Sequence, residues 1–128
     1  MDVKIKHLEF IQATINRMAG NSFLLKSWSV VVVGALFTLS FKELNRLYLL
    51  VSVAVLLSFW LLDAYYLSRE HLFIKLYDSV RKKNEAEIDF SMDTSGFEDD
   101  WAASAFSKTM KLFYGGLLVV QAVVMIIL

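Results

Sequence analysis

The chain contains no cysteine and no proline, and only two histidines. Without thiols it can form no disulfide, no thiolate metal site and no cysteine nucleophile. Without proline it carries no ring that would break a helix. Net charge is missing as well, since 13 basic residues balance 13 acidic ones, so the positive field of a nucleic-acid binder is absent. The first twenty residues, MDVKIKHLEFIQATINRMAG, carry charges every few positions. A signal peptide would need a continuous apolar stretch there.

What the chain has in excess is apolar side chains. Of its 128 residues 57% are hydrophobic, against about 45–50% in an ordinary soluble domain, and the surplus falls in three blocks. Between Lys26 and Lys42 lies the uncharged run SWSVVVVGALFTLSF, which Phe23, Leu24 and Leu25 extend. From Leu47 to Leu62 runs LYLLVSVAVLLSFWLL, continued after Asp63 by AYYL. The third block, LFYGGLLVVQAVVMIIL, occupies Leu112 to Leu128. As a helix it reaches about 25 Å, close to the thickness of a bilayer core. Buried helices of a soluble assembly would normally keep a polar stripe, and these blocks have none. The expected fold class is an all-α membrane protein with three transmembrane helices, the spans covering about 23–41, 47–66 and 111–128.

The linker FKELNR is so short that the first two spans must form an antiparallel hairpin over 23–66. Lysine and arginine then set the orientation. Lys4, Lys6, Arg17 and Lys26 precede the hairpin, and Arg69, Lys75, Arg81, Lys82, Lys83, Lys108 and Lys111 follow it, against Lys42 and Arg46 in the linker. The positive-inside rule places the N-terminus in the cytoplasm and the C-terminus at the opposite face of the membrane. Trp28, Tyr65, Tyr66, Phe113 and Tyr114 are then expected to form an aromatic belt at the cytoplasmic interface.

Helical periodicity continues beyond the lipid. Leu8, Ile11, Ile15 and Met18 share one face of residues 1–22, opposite Lys6, Glu9, Asn16 and Arg17. That amphipathic helix can pack on its neighbours, or hinge at Gly20-Asn21-Ser22 and lie flat on anionic lipid. Phe73, Leu76, Tyr77 and Val80 predict that the second span runs on to about Asn84. The stretch EAEIDFSMDTSG reads as a turn, followed by a new helix capped at Thr94 or Ser95, with Glu98, Asp99 and Asp100 near its positive end. Residues 67–110 are thus expected to form a helix-turn-helix. Together with the first helix it would build a cytoplasmic helical stub of three extensions of similar length.

Asp63 interrupts an apolar span and needs a partner. If the hairpin turns near residues 44 and 45, Lys26 lies at its depth, and Lys111 begins the third span at the same level. A Lys26, Asp63 and Lys111 cluster is therefore expected at the cytoplasmic boundary. It would set helix depth by snorkelling or act as a gate or sensor. Gln121 should face another helix or a second copy, and Gly34, Gly115 and Gly116 offer small surfaces for close packing within the bilayer.

Catalytic constellations are missing from the sequence. His7 and His71 stand outside any ligand cluster, the acidic residues lack calcium-loop spacing, and no glycine-rich phosphate loop occurs. The expectation is a protein with no enzymatic activity, cofactor or metal. No span carries the polar stripe of a constitutive ion pathway, so a monomeric channel is disfavoured.

The strings NRMAGNSFLLKSWSV and FWLLDAYYLSREHLFIKLYDSVRKK resemble a family of short bacterial inner-membrane proteins, some associated with antiviral defence gene clusters. The resemblance covers roughly residues 8 to 93 and transfers no site residues. It implies an oligomeric membrane effector that responds to a cytoplasmic signal or protein partner and permeabilises the membrane. The alternative is a structural anchor holding a cytoplasmic partner. Either way the expected partners are the lipid bilayer, further copies of the chain and a cytoplasmic protein.

Overall fold

The computed structural model describes residues 2–128. Helix α1 runs from Asp2 to Glu43 and α2 from Leu47 to Arg81; a single 3-10 turn at Glu85–Glu87 and an extended segment lead to the short α3, Trp101–Ala105, and then to α4, Lys108–Ile127. Among the described residues there is no strand. Three of these helices, α1, α2 and α4, are long and apolar enough to cross a membrane.

At 1.5 Å per residue α1 is about 63 Å long and α2 about 52 Å, so each extends well beyond the bilayer as one rigid rod. Gly20 does not break α1. With no proline nearby, the apolar stripe keeps its register across it. The hairpin closes at Leu44, which adopts a left-handed φ of 51°. Asn45 N–H bonds back to the Ser40 carbonyl at 3.2 Å, satisfying a carbonyl that the helix end would otherwise orphan. Asn45 also accepts from the Leu47 amide at 2.9 Å and so helps to start α2.

Two cores are stacked along the hairpin. The inner core joins Val33, Leu56, Met110 and Tyr114, with Phe37, Phe59 and Trp60 packed around them. The outer core joins Ile11 and Ile15 of α1 to Phe73, Leu76 and Val80 of α2. The Leu8, Ile11, Ile15 and Met18 stripe of the N-terminal segment therefore packs on α2, in one helix continuous with the first span.

The third extension differs from the expected helix. Beyond Arg81 the chain forms a strap, and Ile88, Met92 and Phe97 of the strap cover the outer core. Residues 85–96 contain no α-helix, as expected of the turn, and local side-chain bonds keep them so. Asp89 accepts from the Ser91 amide at 3.1 Å, Ser91 from the Asp93 amide at 3.2 Å, and Asp93 from the Ser95 amide at 2.9 Å. Each of these bonds gives the backbone an alternative to a helical ladder. A cap does form, but at Asp100, whose carboxylate accepts from the amides of Ala102 and Ala103. Neither Thr94 nor Ser95 opens the helix. The chain breaks again at Phe106 and Ser107, so the third span begins only at Lys108.

Candidate functional site

The two cores meet at a buried ionic knot. Asp63 is fully buried. Its Oδ2 receives Lys26 Nζ at 2.6 Å and the Tyr114 hydroxyl at 2.7 Å, and its Oδ1 accepts from the Ser22 hydroxyl. Lys26 also donates to Ser22 Oγ at 2.8 Å. Ser22 and Lys26 are four residues apart on α1 and so share a face; α2 supplies the anion and α4 the phenol. All three crossings are tied at one level. An ionised carboxylate removed from water this completely persists only when paired and hydrogen-bonded, and Asp63 has three donors.

Lys111, expected in this cluster, is exposed and makes none of the contacts to Asp63. Its place is taken by Tyr114, one helical turn farther along α4. That tyrosine is consequently not part of an aromatic belt. It is fully buried and stacks on Trp60 with ring centroids 5.5 Å apart. Trp28 and Tyr65 do remain exposed.

Deeper in the bundle Gln121 is buried and donates to Ser52 Oγ at 3.1 Å, while Ser52 donates to the Leu49 carbonyl at 2.7 Å. Gln121 thus faces α2, and its Oε1 is left without a partner. Gly34 and Gly116 face outward and Gly115 is half-buried. A Cβ added at any of the three meets nothing within 4 Å, so no helix of the same chain approaches them closely.

Comparison of the chain with known protein families, curated proteins and solved structures gives no match. The site must be read from its own geometry.

A cavity of about 350 Å³ opens beside the knot, between α1, α2 and the start of α4; Ser22, Lys26, Glu70, His71 and Ser107 are among its lining residues. Beyond it lies a polar cluster around Asp99. Asp99 Oδ1 sits 3.3 Å from His71 Nδ1 and 4.0 Å from Lys75 Nζ, and Asp99 Oδ2 accepts from Ser104 at 3.0 Å. Burial pushes the Asp99 carboxyl up, but hydrogen bonds from Ser68 and Ser104 and the neighbouring His71 outweigh it and hold the group below the usual carboxylate range. Serine, histidine and aspartate together invite comparison with a hydrolytic triad. Here, however, Ser104 and Asp99 both address the same ring nitrogen of His71, whereas a relay needs them on opposite nitrogens. The cluster pins the strap to α2.

His7 pins the strap from the other side. It is buried, and its Nε2 donates to the Ser91 carbonyl at 2.8 Å. Its Nδ1 has no partner. Glu85 closes the end of the stub by accepting from the backbone amides of Val3 and Lys4, where the positive end of α1 favours an anion.

Proposed function

We propose that the protein is an oligomeric bacterial inner-membrane effector: the cytoplasmic stub receives a signal or protein partner, and the spans respond by perturbing or permeabilising the membrane, as in antiviral defence. The observation that carries this reading is mechanical. Helices α1 and α2 pass without a break from the stub into the membrane-spanning segments, and the Asp63 knot joins both to α4 where the stub meets the spans. Displacement of the stub therefore moves whole rods and strains a buried charge cluster, which has few alternative arrangements. Permeation requires several copies, because Asp63, Ser52 and Gln121 are turned into the bundle and the outward hydroxyls of Ser27, Thr38 and Ser58 are taken up by carbonyls of their own helices, so one chain offers no polar path.

A second reading, a non-catalytic anchor, is favoured by the exposed Val3, Ile5 and Phe10 on the stub, which suit a protein partner. Induced expression together with the neighbouring genes, followed by a potential-sensitive dye, separates the two. The effector collapses membrane potential and forms oligomers in nanodiscs. Retained potential at high expression, with a stoichiometric soluble partner that is lost on altering the stub, establishes the anchor instead.

A further inference from the structure

We infer that Trp101 to Phe106, although outside the three spans, is embedded in the bilayer surface, with a lipid acyl chain filling the groove between this segment and α2. The inference does not depend on the effector reading. The groove measures about 460 Å³ and is lined by Leu57, Trp60, Leu61, Trp101, Ala105 and Phe106. None of these side chains is charged. Leu57 and Leu61 are 44% and 55% exposed on the apolar part of α2, so the inner wall of the groove belongs to the lipid-facing surface of a span.

The outer wall continues that surface. Trp101 is 43% exposed and Phe106 60%. The Trp60 indole donates to the Ala105 carbonyl at 2.7 Å, and its ring meets Phe106 edge-on at 6.0 Å. Trp60 lies three residues deeper along α2 than Asp63, about 4.5 Å farther from the stub. These contacts hold the end of α3 at the depth of the outermost lipid-facing residues. They also solve a problem that depth creates: the helix breaks at Phe106, and in hydrocarbon a freed carbonyl needs a donor. The indole N–H supplies one to Ala105.

The two faces of the segment are chemically different. Asp99 and Ser104 turn toward His71 and Lys75 of α2, while Trp101 and Phe106 turn outward. Tryptophan at such a level is the usual marker of a membrane–water interface. Continuity with the span surface selects an acyl chain of the leaflet on the stub side as occupant over water, a soluble protein or a second copy.

Because the chain has no cysteine, single spin labels test this in the full-length protein in nanodiscs of phosphatidylcholine and phosphatidylglycerol. Labels at Trp101→Cys and Phe106→Cys are expected to collide with dissolved oxygen in preference to a water-soluble nickel chelate, as at Leu61→Cys. At Glu98→Cys the preference reverses. Nickel preference at both 101 and 106 overturns the inference in favour of water. Low collision with both reagents also overturns it, and spectral broadening relieved by unlabelled protein assigns the groove to a second copy.

Discussion

The phenolic hydroxyl of Tyr114 and the ammonium of Lys26 donate to the same carboxylate oxygen of Asp63, at 2.7 and 2.6 Å. This shared acceptor fastens α4 to the α1–α2 hairpin. Tyr114→Phe keeps the ring on Trp60 and removes only the hydroxyl. A hydrogen bond to a charged group contributes about 1.5–3 kcal/mol, so the variant should unfold at correspondingly lower denaturant in mixed micelles, and an unchanged midpoint would show that the phenol holds nothing.

Removing the anion is the harsher change. Asp63→Leu leaves the Lys26 ammonium, whose side chain is only 20% exposed, without a counter-charge. Breaking one partner of a buried pair costs about 3–5 kcal/mol, whereas replacing both by apolar groups is often neutral. The double variant Lys26→Met/Asp63→Leu is therefore expected to recover most of the lost stability. If both variants prove equally unstable, the pair is not the source of the loss.

Gln121 predicts the opposite sign. Its amide makes one hydrogen bond, to Ser52, and leaves Oε1 buried without a partner. Interhelical hydrogen bonds in membranes average about 0.6 kcal/mol, while an unsatisfied buried acceptor costs about 1–3 kcal/mol. Gln121→Leu should leave the unfolding midpoint unchanged or raise it. A fall of several kcal/mol would reveal a partner for Oε1.

The three apolar helices were legible in the sequence because hydrocarbon length and charge exclusion act on composition alone, without tertiary context. The pairing of Lys26 with Asp63 was legible too, since a six-residue linker leaves little freedom in hairpin register. Tyr114 was not. The depth of α4 depends on where the chain bends at Phe106, and no breaker residue marks that bend. The strap was legible in part: the lost period over EAEIDFSMDTSG marked a non-helical stretch, but the late helix start at Trp101 and the folding of Ile88, Met92 and Phe97 onto the outer core rest on tertiary contacts that no local pattern announces.

Gly34 and Gly116 offer a test of self-association that leaves the monomer intact. Both face outward, and an added Cβ meets nothing within 4 Å at either. Gly34→Leu and Gly116→Leu should therefore not lower monomer stability, and removing glycine from a helix interior gains up to about 1 kcal/mol. If copies pack through these faces, the same substitutions lower the oligomer fraction measured by mass photometry in nanodiscs. Oligomers unaffected by either variant must assemble through another surface.

The strap should loosen in acid before the helices do. Asp89 is held below its ordinary range by the Ser91 amide, Asp93 by the Ser95 amide, and Asp99, against its burial, by Ser68, Ser104 and His71. A carboxyl whose folded pKa is depressed binds fewer protons folded than unfolded, so its contribution is complete above the unfolded value, near about 3.9 for aspartate, and disappears as pH falls through the folded value. All three groups lie on the strap or at its end, and none supports the spans. Hydrogen exchange from about pH 5 to about pH 3, corrected for the intrinsic pH dependence of exchange, should show amides 88–100 losing protection while the spanning parts of α1 and α2 keep theirs. Uniform loss across strap and spans would mean that acid unfolds the whole bundle together and that the strap is no separate unit. Protection retained throughout would mean that Ile88, Met92 and Phe97 hold the strap without the carboxylates.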